Sequence, residues 1–273
     1  MSIALQGKLV LVGAGKMGSA MLEGWLKNGL SPAQAVVFDP APPPESAALL
    51  ARESISHNPD PASVKDAEVV VIAVKPQVME DVLPGLAVLK QSRPLIVSVA
   101  AGKPIASFER HFGADAAVIR TMPNTPAAIG RGITAMVGNA HVAPAQMNLA
   151  EKLLAAVGEV VRVENEAMID AVTAVSGSGP AYVFYLTECL AAAGVKLGLS
   201  EALATQLARA TVAGAGELMR QSGLPAATLR QNVTSPKGTT YEALQILMAA
   251  DGMEPLMEKA VAASCRRSRE LGS

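Results

Sequence analysis

Gly13-Ala14-Gly15-Lys16-Met17-Gly18 follows a short aliphatic run and opens a helical pattern. Gly13 permits a tight turn, Gly15 lets backbone approach a pyrophosphate, and Gly18 lets helix and strand lie close. The helix start adds free N–H donors for the anion. Between a strand and a helix, the motif reads as a dinucleotide-binding loop; a glycine turn without a ligand is the plainer alternative. Asp39 closes the second strand, where a carboxylate accepts hydrogen bonds from ribose hydroxyls and repels a 2′-phosphate, which leans the cofactor towards NADH. It reads as readily as a turn-forming Asp before Pro40, and Lys16 and Arg52 are candidates to offset the repulsion. Ala73-Val74-Lys75-Pro76 and Arg120-Thr121-Met122-Pro123-Asn124-Thr125-Pro126 stand at strand ends, where open α/β sheets bind ligands, although Lys75 alone reads as a solvated lysine.

Ser176-Gly177-Ser178-Gly179-Pro180-Ala181-Tyr182 and Thr234-Ser235-Pro236-Lys237-Gly238-Thr239-Thr240 each precede a long helical pattern. Small hydroxyl residues and unpaired amides at a helix start suit a carboxylate or phosphate. Capping and close packing explain either one alone; two such starts beside a nucleotide fold point to an anionic substrate. The usual catalytic sets are missing. His57, His111 and His141 lack metal-ligand spacing and read as surface or loop histidines, and no Ser-His-Asp or Cys-His arrangement can be named. No metal is expected. Hydride transfer suits this inventory, because the cofactor carries the chemistry and the protein supplies alignment.

These residues need elements to hold them. Lys8–Val12, Ala35–Phe38, Glu68–Ala73, Leu95–Val99, Ala117–Thr121, Thr134–Val137 and Val160–Val163 read as strands, with Met17–Asn28 and Glu45–Arg52 as helices. Their alternation predicts an α/β, Rossmann-type parallel sheet over residues 1–164. After Glu164 the patterns are helical: Glu166–Val175, Tyr182–Lys196, Glu201–Gln221, Ala226–Gln231, Thr240–Ala250 and Glu254–Leu271. Pro180 suits a first turn, Ser200 a cap, and Thr239–Glu242 has capping-box spacing. Residues 165–273 therefore read as an all-α second domain.

Composition narrows the setting. Hydrophobic residues make up 50% and charged ones 17% of the 273 residues, which leaves either a membrane protein or a soluble oligomer. Mean hydropathy is +0.31, but the uncharged stretch Gly132–Ala150 is broken by Asn139, His141, Pro144, Gln146 and Asn148, and Ala171–Thr187 by Ser-Gly-Ser-Gly-Pro. The 23 basic residues balance 24 acidic ones, so no broad electrostatic footprint for nucleic acid exists. Met1–Leu11 lacks a basic n-region and a cleavage pattern, and Cys189 and Cys265 read as reduced, buried thiols. The expectation is a cytoplasmic oligomer with no membrane partner.

The motifs taken in order, GAGKMG, AVKP, RTMPNTP, DAVTAVSGSGPAYVF, NVTSPKGTT and ASCRRSREL, resemble pyrroline-5-carboxylate reductases, which catalyse the last step of proline biosynthesis. SGSGPAY with TSPxGTT is specific; GxGxMG and AVKP are shared with other small reductases. The resemblance implies a Rossmann domain and a helical domain interlocked with its partner's in a dimer, assembled into decamers in some members. It implies reduction of 1-pyrroline-5-carboxylate to L-proline by NADPH or NADH. By position, Gly13, Ala14, Gly15, Lys16, Met17, Gly18, Asp39, Asn58, Ala73, Val74, Lys75 and Pro76 would line the cofactor, with Ala100 and Asn232 approaching it. The Thr239 and Thr240 amides would hold the substrate carboxylate with Ser235 close by, the Thr240 hydroxyl would reach the ring nitrogen, and Glu166 matches a further substrate contact.

Two departures stand out. Lys237 occupies a position that is often glycine, and Asp39 replaces a small or basic residue seen in many members. A rival reading, a β-hydroxyacid dehydrogenase, needs a lysine soon after the second-domain glycine motif, where the next lysine is Lys196. A dinucleotide-sensing or proline-responsive protein without turnover would keep the glycine loop but has no need of both helix starts.

Overall fold

The computed structural model describes Ile3–Gly272. Two compact units emerge: one comprises the chain up to Gly177 together with Cys265 onwards, and the other comprises Ser178–Ser264. The strands end at Arg162, before the first of these divisions.

In the first unit the chain runs β1 (Lys8–Val12), α1 (Lys16–Lys27), β2 (Ala35–Phe38), α2 (Pro44–Arg52), β3 (Ser56–His57), β4 (Ala67–Ile72), α3 (Met79–Leu86), β5 (Leu95–Ser98), α4 (Ile105–Phe112), β6 (Val118–Met122), β7 (Gly132–Gly138), α5 (Pro144–Leu154), β8 (Gly158–Arg162) and α6 (Met168–Val172). Among the described residues the strands form an eight-stranded sheet in the order β3-β2-β1-β4-β5-β6-β7-β8. The order reverses between β1 and β4, which leaves a crevice at their carboxyl ends. Alternation sorts the side chains onto two faces. Leu9 and Leu11 join Met21, Trp25 and Leu153 in one core. Val10 and Val12 join Met79, Leu83 and Phe108 in the other. Trp25 is fully buried, and its indole N–H donates to the Leu153 carbonyl at 2.8 Å.

The expected parallel sheet needs one correction. β7 pairs antiparallel with β6, Met122 opposite Ala135 and Ile119 opposite Gly138. The link Pro123–Arg131 holds only a short 3₁₀ turn, too little chain for a crossover helix, so the strand must return as a hairpin does. α5 then provides a crossover and β8 runs parallel to β7. β3 is an exposed two-residue edge strand with no hydrophobic alternation to announce it.

The second unit contains α7 (Gly179–Lys196), α8 (Glu201–Ser222), α9 (Ala226–Asn232), α10 (Thr239–Leu247) and most of α11 (Met253–Gly272). Pro180 lies in the first turn of α7, and the Ser200 hydroxyl caps α8 by accepting the Leu203 N–H at 3.3 Å. Small residues bring α7 and α8 together: a Cβ on Gly194 would lie 3.3 Å from that of Ala204. Among the described residues of this unit only Ala204 and Ala208 are buried. Phe184, Tyr185, Leu197, Ile246 and Leu256 are all more than half exposed. No helix among the described residues is long and apolar enough to cross a membrane. The cysteines are free but not buried as expected, since Cys189 is exposed and Cys265 half-buried within a single chain.

Candidate active site

The glycine loop sits at the reversal between β1 and β4. Gly13 has φ +96°, and a Cβ there would come within 2.9 Å of the Ala73 carbonyl and the Val74 side chain. A Cβ on Gly18 would run into the Gly13 carbonyl oxygen. Gly15, the N-cap of α1, faces open space: a Cβ there would meet nothing within 4 Å. The α1 amides without intrahelical acceptors and the lack of acidic residues in its first turn suit a pyrophosphate. Lys16 is exposed beside it and Met17 packs on the core.

One residue of this loop is held through both of its backbone groups. The Ala14 N–H donates to Asp39 Oδ2 at 2.7 Å, and the Ala14 carbonyl accepts from the Ser19 hydroxyl at 2.7 Å and the Ser46 hydroxyl at 2.8 Å. Ser19 and Ser46 also touch each other. No motif pointed to these two serines; their only signal is hydroxyls at the starts of the helices that flank the loop.

Asp39 combines both of its sequence readings in one geometry. Its Oδ1 accepts the Ala41 N–H at 2.9 Å, a side-chain turn, while Oδ2 serves the glycine loop. Asn58, held at φ +49°, pairs with the Asp39 backbone, accepting its N–H at 2.9 Å and donating to its carbonyl at 2.8 Å. Arg52 turns to Glu53 at 2.9 Å, so it is not the free cation that would offset Asp39. The Ala73 N–H reaches the Val12 carbonyl at 2.7 Å, which binds the Ala73–Pro76 segment to the glycine loop, with Lys75 exposed. Ala100 is buried just beyond β5, its N–H 3.2 Å from the Ser98 hydroxyl. Asn58, Asp39, the glycine loop, Ala73–Pro76 and Ala100 thus follow β3, β2, β1, β4 and β5 along one carboxyl edge of the sheet.

Glu166 lies elsewhere in the first unit. Its Oε1 accepts from Arg120 at 2.9 Å and from the Ile105 N–H at the start of α4 at 2.8 Å. Asn124 of the same RTMPNTP segment reaches the Ser176 hydroxyl at 3.3 Å and accepts the Ile133 N–H at 3.0 Å. Ser176 does not precede a free helix start. α6 runs into a π-helical turn, Thr173–Gly177, and Ser178 is itself helical at φ −85°, ψ −21°. SGSGPAY thus combines the end of a π turn, a feature common at functional sites, with the start of α7 at Gly179. His111 departs from its surface reading too, lying in α4 mostly buried and 3.3 Å from Glu80.

In the second unit, the TSPKGTT segment does open a helix. Gly238 is the N-cap of α10, extended at φ −84°, ψ 175°, and its N–H reaches the Ser235 carbonyl at 3.0 Å. Ser235 Oγ blocks any Cβ on Gly238. Thr239 and Thr240 are the first two helical residues, so the expected capping box is absent, since its hydroxyl belongs one residue earlier. The Glu242 N–H is the first to find an intrahelical carbonyl, that of Gly238. The amides of Thr239 and Thr240 have no acceptor within the helix. Thr239 and Ser235 are exposed and Thr240 half-buried, while Asn232 ends α9.

Residues 166–271 match the family model for pyrroline-5-carboxylate reductase dimerisation, and residues 8–102 match that for NADP oxidoreductase coenzyme F420-dependent. A pyrroline-5-carboxylate reductase of Pseudomonas aeruginosa is 42% identical over 266 residues, covering 97% of this chain and 96% of its own. The chain belongs to the pyrroline-5-carboxylate reductase family. The solved reductase of Coxiella burnetii superposes with TM-score 0.90 at 32% identity, covering 98% of this chain and all of its own. That of Plasmodium falciparum, with NADP bound, superposes with TM-score 0.81 at 28% identity over 98% of this chain and 99% of its own.

Within this family the lysine in TSPKGTT is a local strain. Lys237 has φ +57°, the left-handed region that glycine occupies freely. Lys237→Gly removes the Cβ strain but loosens the unfolded chain, for a net gain of about 0.5 kcal/mol in unfolding free energy. Urea titration of both proteins checks this; a less stable glycine variant would mean that the lysine side chain makes a compensating contact.

Proposed function

We infer that this chain reduces 1-pyrroline-5-carboxylate to L-proline with a nicotinamide cofactor, as a homodimer. The observation that carries the reading is the start of α10, where Gly238 leaves the Thr239 and Thr240 amides free at a helix N-terminus. The helix dipole adds roughly half a positive charge there, matching a small carboxylate. Residues 1–164 serve the cofactor, and residues 165–273 serve substrate binding and dimerisation.

The Gly13–Gly18 loop and the amides opening α1 hold the pyrophosphate, Asp39 and Asn58 face the adenosine ribose, and Ala73–Pro76 and Ala100 line the remainder. When bound, the reduced nicotinamide supplies a hydride to the C=N carbon. The chain's own task is alignment. The Thr239 and Thr240 amides anchor the carboxylate with Ser235 beside them, and the Thr240 hydroxyl meets the ring nitrogen. That nitrogen takes its proton from solvent, because a hydroxyl is too weak an acid to be the sole donor. The protonated imine is the stronger electrophile, and Thr240 then accepts the N–H of the product amine.

Asp39 sets the cofactor preference. Its carboxylate is fixed by two backbone amides at the end of β2, and Arg52 is engaged by Glu53, so a 2′-phosphate meets an uncompensated negative charge. NADH is the favoured donor. The uncovered apolar helices of the second unit need a partner copy to cover them.

Mixing the protein with NADH and 1-pyrroline-5-carboxylate produces imine-dependent loss of cofactor absorbance; no such loss refutes the reading. Thr240→Ala lowers kcat/KM for the imine about tenfold, the worth of one hydrogen bond to a charged nitrogen, and an unchanged value removes the hydroxyl's role. The ratio of kcat/KM for NADH over NADPH is about ten or more; preference for NADPH would overturn the assignment of Asp39. Light scattering after size exclusion gives a dimer or a multiple of it, whereas a stable folded monomer contradicts the covering argument.

A further inference from the structure

Arg120 is a buried cation that the hydride chemistry leaves without a task. Its side chain is 7% exposed, with Nη1 2.9 Å from Glu166 Oε1 and Nη2 3.7 Å from Asp170 Oδ1. A charge so enclosed needs partners, and both carboxylates have second engagements. Glu166 Oε1 accepts the Ile105 N–H, the first amide of α4. Asp170 Oδ1 accepts from the Ser268 hydroxyl at 2.7 Å, in the last turns of α11. The far end of the chain is thus linked through Asp170, Arg120 and Glu166 to the residue where the β5–α4 loop becomes helix.

The same end touches that loop directly. Gly102, at φ +73°, lies against α11: a Cβ on it would sit 3.1 Å from Leu271 Cβ, and a Cβ on Gly272 would sit 3.1 Å from the Gly102 carbonyl oxygen. The loop from Val99 to Pro104 is therefore pinned at its middle by the last turn of α11 and at its exit by the Glu166 carboxylate. Its first residues include Ala100, on the carboxyl edge of the sheet beside the glycine loop and Ala73.

We propose that the last turn of α11 is a latch that fixes the β5–α4 loop for cofactor binding, with Arg120, Glu166, Asp170 and Ser268 as positioning residues. The proposal rests on the cofactor reading given above. It gives Glu166 the task of holding α4 beside the substrate contact that the resemblance implies, and it explains why a buried arginine stands just before Met122-Pro123-Asn124. A carboxylate between a guanidinium and a helix N-terminal amide is stabilised by both, and neither group can leave without exposing the other.

The test uses the full-length protein and two readouts that need no imine. NADH and NADPH affinities are measured by cofactor fluorescence, and deuterium uptake of residues 99–105 is measured without cofactor, for wild type, Ser268→Ala, Glu166→Ala and Glu166→Gln. Ser268→Ala, which loses one hydrogen bond to a charged group, weakens both cofactors about fivefold, and Glu166→Ala, which loses two, weakens them about tenfold or more. They also speed exchange in 99–105 more than in β1 or β4. Glu166→Gln keeps an acceptor for the Ile105 N–H and recovers most of the affinity. If Glu166→Ala does not fold, Ser268→Ala, which removes a single helix hydroxyl, still decides. Affinities within twofold of wild type, in a protein that binds NADH and reduces the imine, overturn the latch alone. A wild type that does neither overturns the cofactor reading and the latch with it.

Discussion

The backbone of Ala14 carries an unusual share of the architecture. Its N–H is taken by Asp39 and its carbonyl by Ser19 and Ser46, so β2, α1 and α2 converge on one link of the glycine loop. Each neutral bond contributes about 1 kcal/mol and the carboxylate bond rather more, enough together to hold one loop conformation in the absence of ligand. That rigidity matters because amides already aimed at the pyrophosphate need no ordering when it arrives. Asp39 can serve loop and ribose together, since each carboxylate oxygen offers two lone pairs. Under the proposed function, the residue that would discriminate between cofactors also builds the glycine loop, so altering the one disturbs the other.

How much of this was legible beforehand follows from the range of the interactions. β1 and β2 were readable to the residue, because an aliphatic run ending in Gly13 or Asp39 is a local signal. The edge strand β3 and the antiparallel β7 were not, for their placement depends on pairing and on how little chain joins β6 to β7. GAGKMG and TSPKGTT could be read as ligand sites from glycine chemistry alone. SGSGPAY does lead into α7, but the π turn Thr173–Gly177 that precedes it could not be read from a glycine-serine run. Arg120 lies in RTMPNTP, Ser268 in ASCRRSREL and Ser46 at a helix start, yet nothing in the sequence pointed to their partners. A buried hydroxyl or guanidinium gains meaning only from partners distant in sequence, such as Asp170 for Ser268.

Composition and structure agree on the second unit by different routes. Low charge and few aromatics required apolar surface to be hidden somewhere. The helices show where: α7 and α8 approach over Gly194 and Ala204, yet so thin a contact buries only two alanines in full. Small residues allow close approach but contribute little area each, so at about 25 cal/mol per Å² a pair of alanine-rich helices gains little from each other. Phe184, Tyr185, Leu197 and Ile246 hold the large apolar area, and they remain outside the unit's own core. A family model defined by dimerisation covering residues 166–271 is what such a distribution calls for.

The chemistry is equally spare. No histidine stands near the start of α10 in sequence, and the side chains at its free amides are hydroxyls and one lysine. Such a site cannot supply a strong acid, so it must gain rate from orientation and fixed dipoles, which lose nothing to solvent reorganisation as charge shifts. The backbone is suited to that work: Gly238 is confined by Ser235, and the amides that follow are set by the helix itself. Lys237 fits the same logic at a cost. A left-handed lysine sacrifices on the order of 1 kcal/mol of stability, yet it places an ammonium on the loop proposed above to bind a carboxylate. If cofactor carries hydride and solvent carries protons, as proposed, the protein's one requirement is to hold a small anion still, and the N-terminus of α10 offers backbone amides for it.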